Sequence, residues 1–170
     1  MNNYIPVEKK DSAKKFYQFL RFSLTSEIRG LLPKENLQEI LKLEGNQIIP
    51  IFDLPPEVMG IYNHRGEILW IVNLATLLGL NDSLNMSSKS IYSIIIVAIE
   101  HKILGLAVEQ IDQFIVCPET EIIKVSQQIQ SVLTSCIQGE KRMPNGEKIL
   151  ILEPVKIFNL IKKKTDNGII

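Results

Sequence analysis

The sequence predicts a mainly β protein made of two small β-barrels, each closed by a short helix. Its 170 residues, 45% of them hydrophobic, are enough to bury a core within one globular unit. The apolar runs are short and separated by closely spaced turn signals, which is typical of barrels. A turn glycine, a Glu, an apolar strand and a short helix also follow one another twice, from Gly66 and from Gly146, which indicates a structural duplication.

The N-terminal part predicts a hairpin followed by less regular segments. Apolar residues alternate in residues 16–25, "FYQFLRFSLT", and the apolar run at 28–33 follows closely enough to pair with them. Residues 35–43, "ENLQEILKL", fit a helical turn and a strand face equally, and we expect a short, irregular segment there. The three prolines in residues 47–60 predict a short edge strand and then one helical turn.

The middle of the chain predicts a second hairpin closed by a helix. Strands near 60–63 and 67–73 flank a polar tip, and leucines recur at helical spacing in residues 74–80, "LATLLGL". Residues 81–90 are rich in Ser and Asn, so we expect a loop and a boundary between the two halves of the chain.

The second half repeats the theme. The apolar runs "IYSIIIVAI" and "ILGLAV" flank residues 100–102 and give the clearest hairpin, and we expect residues 110–117 to extend the same sheet. After a less periodic segment, Pro144, Asn145 and Gly146 mark a tight turn, because Asn and Gly accept positive φ. A helix then begins with Pro154 in its first turn and ends in a solvated lysine run at 162–164 that suits the helix dipole.

Charge and cysteine content exclude several classes of protein. Lys and Arg together number 19, as do Asp and Glu, so no net field would attract a nucleic acid. Neither an apolar leader nor a membrane-length apolar run is present, and we expect a cytoplasmic protein without direct membrane insertion. Cys117 and Cys136 are far apart and outside any CxxC pair, so both are expected in the core of a protein from a reducing compartment.

The search for catalytic chemistry finds no residues on which an enzyme could rest. His64 and His101 are the only histidines, and each falls in a predicted turn tip, where a solvated side chain is expected. The sequence has no nucleophile signature, phosphate-binding glycine loop or HExxH motif. We therefore predict no enzymatic activity, no metal and no cofactor, and a function that depends on surface shape.

The stretch "GIYNHRGEILWIVNL", residues 60–74, carries a more specific pattern. A glycine and an apolar pair precede Asn-x-Arg-Gly and an apolar strand that ends in a polar residue and Leu. This pattern resembles the signature of the CheW-like domain family, and the order of the flanking segments resembles the family along residues 16–158. The residues that match the signature are Gly60, Asn63, Arg65, Gly66 and Leu74.

The resemblance implies a single domain over residues 15–161, formed by two interlocked, five-stranded SH3-like β-barrels with short helices. A flexible N-terminus, residues 1–14, and a polar tail, residues 162–170, would flank it. The implied function is that of a non-catalytic signalling adaptor in taxis or pilus-based motility. Such an adaptor couples the regulatory domain of a CheA-type histidine kinase to the tip of a methyl-accepting chemoreceptor.

The sequence departs from the family pattern at four positions. Trp70 stands where proline is common, Asn73 replaces the usual Asp, and Glu109 and Ile111 replace Asp and Val. These changes preserve shape, so they bear on which partner is bound more than on the fold.

The resemblance also implies a receptor-binding site at Leu37, Glu39, Asn63 and Arg65. Glu39 matches the family glutamate that faces the arginine, so we expect these two side chains to form an ion pair beside the receptor groove. Judged without the resemblance, Arg65 would only be the solvated tip of a hairpin. Leu37 would add apolar contact area for a helical receptor tip, whereas Ile40 is expected to lie in the core.

Three glycines are expected to support the backbone of this surface. Gly60 would allow a close approach of another segment before the strand, and Gly66 would take a turn conformation that other residues resist. Gly105, after the second hairpin, would act in the same way.

Two other functions remain open on the sequence. SH3-like barrels also bind nucleic acids, although the balanced charge argues against that here. A hydrolytic or metal-dependent enzyme is opposed by the absence of a catalytic motif.

Overall fold

The computed structural model describes residues 13–80, 91–125 and 131–165. Within these ranges the chain forms eleven strands in two sheets, together with three α-helices. The strands are β1 (Phe16–Ser23), β2 (Arg29–Pro33), β3 (Leu37–Glu44), β4 (Val58–His64), β5 (Glu67–Asn73), β6 (Ile91–Ile99), β7 (Lys102–Val108), β8 (Gln110–Pro118), β9 (Ile122–Lys124), β10 (Ile137–Arg142) and β11 (Lys148–Leu152). The helices are α1 (Leu74–Leu77), α2 (Val132–Ser135) and α3 (Pro154–Lys164).

Both sheets have the same internal plan. Sheet A has the strand order β8-β1-β2-β11-β10-β9, and sheet B has the order β3-β6-β7-β5-β4. Neighbouring strands are antiparallel except at one junction in each sheet, where β11 runs parallel to β2 and β5 runs parallel to β7. The expected mainly β class with two β subdomains is confirmed; sheet B has the expected five strands, and sheet A has the three-residue β9 as a sixth.

The two sheets interlock because each half of the chain donates its first hairpin to the other half. The β1–β2 hairpin lies in sheet A between β8 and β11, which come from the second half. The β6–β7 hairpin lies in sheet B between β3 and β5, which come from the first half. The expectation that residues 110–117 extend the sheet of β6 and β7 is therefore wrong: β8 pairs with β1, from Phe16–Pro118 to Ser23–Gln110. Alternation predicts a strand, but it does not identify a partner so distant in sequence.

Three apolar clusters hold this arrangement together. The largest lies between the sheets and combines residues of both sheets with residues of α1 and α3, including Phe22, Leu74, Leu104 and Ile157. A second cluster is confined to sheet B and a third to sheet A, the latter including Cys117. Cys136 belongs to the central cluster, so the prediction that both cysteines are buried is confirmed.

One expectation for the first half is wrong. Residues 35–43 are not irregular, because β3 is an eight-residue strand with one register shift between Leu37 and Glu39. The segment 47–60 contributes an isolated bridge between Ile49 and Ile61 and then a single turn, in which the Val58 N–H donates to the Pro55 carbonyl at 2.9 Å, and β4 begins at Val58. The prolines prevent a longer strand here because they cannot donate to the ladder. The loop and boundary expected at 81–90 lie outside the described residues.

The structure supports the proposed duplication. Gly66 and Gly146 occupy hairpin turns with φ of 86° and 85°. In both halves the following strand makes the parallel junction and leads directly into a helix, α1 after β5 and α3 after β11. Pro154 opens α3 as predicted, and Lys164 in its last turn pairs with the buried Glu57, Nζ to Oε1 at 2.8 Å.

Candidate functional site

The Arg65–Glu39 pair connects the two outer strands of sheet B. Glu39 lies on β3, at one edge of the sheet, and Arg65 lies in the turn that follows β4, at the other edge. Arg65 Nη2 is 3.1 Å from Glu39 Oε2 and 3.3 Å from Oε1. The expected ion pair is therefore present, and it joins strands that share no ladder hydrogen bonds.

The turn that carries Arg65 is a tight hairpin turn. Arg65 and Gly66 separate the paired residues His64 and Glu67, and their φ values of 55° and 86° are both positive, as in the primed turns that suit hairpins. Asn63 Oδ1 accepts a hydrogen bond from the Gly66 N–H at 2.9 Å, so Asn63 shapes the turn. The turn directs the Arg65 side chain outward, where it is 74% exposed.

His64 is the main site residue that the sequence reasoning missed. It was expected to be solvated, and this is wrong: His64 is only 7% exposed. Its Nε2 lies 3.3 Å from Glu39 Oε2, the same oxygen that Arg65 contacts. The signal that could have located it is strand alternation, because β4 extends through residue 64 and side chains one position apart point to opposite faces. His101 is exposed, as expected.

Leu37 and Ile40 take opposite positions on β3. Leu37 is half-buried and packs against the central cluster, whereas Ile40 is 38% exposed. The expectation that Ile40 lies in the core is wrong, because residues three apart in a strand face opposite sides of the sheet. Leu37 thus has a core role and a partly accessible surface.

The three glycines support this region for different reasons. A β-carbon on Gly60 would lie 2.1 Å from the Ile49 carbonyl oxygen, so the close approach of segment 47–50 to β4 requires glycine. Gly66 has open space around it and is required only for its turn conformation. A β-carbon on Gly105 would lie 2.6 Å from Ile71 Cδ1, across the parallel junction of β5 and β7.

Exposed apolar side chains lie on both sheets. On sheet A they are Phe16 of β1, Phe114 and Val116 of β8 and Ile123 of β9. On the sheet B side they are Ile40 of β3, Ile68 of β5, Ile91 of β6 and the segment Ile49, Ile51 and Phe52 that precedes β4. Phe52 is 86% exposed, more than any other large apolar residue in the described ranges. Surfaces of this kind commonly mark contacts with other proteins.

The described residues were also compared with the requirements of a metal site, a reactive thiol and a membrane-spanning helix. No group of three His, Cys, Asp or Glu side chains in these ranges is placed to hold a metal ion. Burial raises the pKa of the Cys117 and Cys136 thiols, which leaves them poor nucleophiles. No helix in the described part of the chain is long and apolar enough to cross a membrane.

Comparison with known proteins identifies relatives of this fold. The sequence model of the CheW-like domain family matches residues 18–162. A relative named "Chemotaxis protein CheW", from Treponema pallidum (strain Nichols), is 26% identical over 144 residues, which cover 84% of this chain and 82% of the relative. The crystal structure of the scaffolding protein TtCheW from Thermoanaerobacter tengcongensis superposes with a TM-score of 0.70 at 23% identity, covering 82% of this chain and 90% of the other.

Proposed function

This chain belongs to the CheW-like domain family of chemotaxis adaptors, and we propose that it couples a CheA-type histidine kinase to the tips of methyl-accepting chemoreceptors. It would do so in the cytoplasm, as a scaffold that catalyses no reaction. The family assignment does not favour the nucleic-acid alternative. The observation that supports the proposal is the Arg65–Glu39 pair, in which Arg65 presents an exposed guanidinium to a partner.

The receptor contact is assigned to Leu37, Glu39, Asn63 and Arg65. As an exposed ion pair, Arg65 and Glu39 would stabilise the fold by only about 0 to 1 kcal/mol. A guanidinium fixed at the rim of a binding surface contributes more to specificity, since it penalises partners whose charges do not match. Leu37 lies on the same strand as Glu39 and adds apolar area for a helix docking in a groove.

The kinase contact is assigned to the segment around Ile51 and Phe52. An adaptor must hold two partners at once, so it needs a second surface separate from the receptor site. The large exposed fraction of Phe52 makes it the strongest anchor available, because buried aromatic side chains dominate binding energy at interfaces.

Two variants, each expected to lose a different partner, test both assignments. We expect Arg65→Glu to abolish co-elution with a receptor-tip fragment while the complex with the kinase regulatory domain survives. We expect Phe52→Ser to give the opposite result. Size-exclusion chromatography with fragments from the same organism provides the measurement, and circular dichroism checks that each variant is folded.

Arg142→Glu is the matched control, because Arg142 is an exposed cation of β10, in the other closing hairpin, that pairs with Glu140 at 3.4 Å. It should leave both complexes intact. The receptor assignment fails if Arg65→Glu binds receptor like the wild type, or if it unfolds.

A further inference from the structure

His64 occupies the variable position of the Asn-x-Arg-Gly motif, directly below the exposed pair. Its side chain is 9% exposed, against 74% for Arg65, yet both reach the carboxylate of Glu39. Oε2 of Glu39 lies 3.3 Å from His64 Nε2 and 3.1 Å from Arg65 Nη2. One carboxylate oxygen is thus shared by a buried imidazole and an exposed guanidinium.

One ring nitrogen of His64 lacks a hydrogen bond to any described residue in this position. Nε2 of His64 is buried and has no hydrogen-bond partner in the part of the chain that is described, although it lies within ion-pair distance of Glu39. Such a nitrogen gains a charge-assisted hydrogen bond when the ring is protonated and turns toward the carboxylate. Histidine is the side chain whose charge ordinarily changes between about pH 5 and pH 8.

The other groups around the His64 ring are less suited than Glu39 to act as its charged partner. Tyr62, on the same strand, has its ring centroid 6.4 Å away from the imidazole. Glu67 is the cross-strand partner of His64 on β5, but it is exposed. Glu39 from β3 and Arg65 from the turn are the charged groups that contact Nε2 or compete for its partner.

We propose that His64 is a positioning residue whose protonation makes it the main partner of Glu39 and releases Arg65 to bind a carboxylate of the chemoreceptor. A buried imidazolium needs Glu39, because water does not reach it, whereas Arg65 can exchange Glu39 for water at little cost. The site also changes from no net charge to one positive charge. Receptor binding therefore strengthens as the pH falls. This statement about binding rests on the proposed function, whereas the exchange of partners at Glu39 does not.

An NMR titration tests the switch without any partner. In isotope-labelled protein, the ring signals of His64 and His101 and the Nε–Hε signal of Arg65 are followed from about pH 5 to pH 8. We expect the Arg65 signal to move with the same midpoint as the His64 ring. In His64→Leu and His64→Gln the Arg65 signal should stay constant, and the ring signals of the exposed His101 serve as an internal reference. The proposal is overturned if the Arg65 chemical shift in the wild type does not follow the His64 ring signals, or if it still changes with pH in both variants.

Calorimetry with a receptor-tip helical hairpin from the same organism tests the consequence. Wild-type protein should bind it roughly two- to fivefold more tightly at about pH 6 than at about pH 8, the range expected when an exposed ion pair stops competing. His64→Gln should bind with no such difference. A difference of equal size in His64→Gln contradicts the role of His64. If no form binds the hairpin at either pH, the receptor function fails, and the NMR titration still decides whether His64 controls Arg65.

Discussion

The two closing hairpins, β4–β5 in sheet B and β10–β11 in sheet A, occupy equivalent places but use opposite charges. In the first, the turn residue Arg65 pairs with Glu39 on β3, across the sheet edge. In the second, Glu147 beside the turn lies 3.1 Å from Arg21 Nη2 on β1, and Arg21 Nε lies 3.5 Å from Asp112 on β8.

Exposure separates the roles of these two clusters. The Arg21 side chain is 21% exposed and has two carboxylate partners from different elements, whereas the Arg65 side chain is 74% exposed. Charges that are partly shielded from water interact more strongly than exposed ones. The cluster in sheet A thus joins strands through a largely shielded cation, whereas the cluster in sheet B leaves its guanidinium exposed to solvent.

The largest expected effect concerns the glycines at the register shifts that precede the two turns. Gly60 has φ of 144° and contacts the Ile49 backbone, whereas a β-carbon on Gly139 would lie 2.9 Å from the Ile123 carbonyl oxygen without a positive φ. We expect Gly60→Ala to lower the free energy of unfolding by about 3 kcal/mol and Gly139→Ala by about 1 to 2 kcal/mol. Urea unfolding measures both free energies. Equal losses would contradict the expectation, because they would mean that β9 packs as tightly against Gly139 as the Ile49 segment packs against Gly60.

The next effect separates the two ion-pair clusters directly. Arg21→Met removes the Asp112 ion pair and leaves Glu147 with only Arg29, whose Nε lies 4.0 Å from Glu147 Oε1, and we expect a loss of about 2 kcal/mol in the free energy of unfolding. Arg65→Met should cost less than about 1 kcal/mol, because the pair is exposed. The same urea titrations decide the matter: a larger loss for Arg65→Met than for Arg21→Met would reverse the assignment of structural and binding roles.

The smallest expected difference between the two hairpins tests how far the duplication extends. Gly66 and Gly146 have nearly the same φ, and open space surrounds both. Gly66→Ala and Gly146→Ala should therefore each lower the free energy of unfolding by about 1 kcal/mol, the cost of a β-carbon at positive φ. Thermal denaturation followed by circular dichroism compares them. A clear inequality would mean that the neighbouring residues, not the shared turn conformation, set the cost.

Sequence reasoning succeeded where the determining chemistry is local. The turn at Asn145 and Gly146, the helix start at Pro154 and the hairpin between β6 and β7 depend on a few neighbouring residues, and each is present as expected. The Glu39–Arg65 pair joins positions on different elements, and only the family resemblance indicated it.

Sequence reasoning failed where a distant segment determines the environment or the partner of a residue. The partner of β8 is β1, and nothing within residues 110–117 encodes that choice. His64 was misplaced for a different reason: its neighbours in sequence indicate a turn, although β4 extends through residue 64 and its alternation places the imidazole on the buried face. The opposite orientations of Leu37 and Ile40 became predictable only once β3 was known to be a strand.

The exchange of first hairpins has a consequence for how the molecule comes apart. Neither the chain up to Leu80 nor the chain from Ile91 onward contains a complete sheet, since each sheet takes strands from both. The two halves of the chain therefore cannot melt one after the other as independent domains do. A load applied to either half of the chain is carried by the ladders of both sheets, so we expect the two halves to unfold in one step.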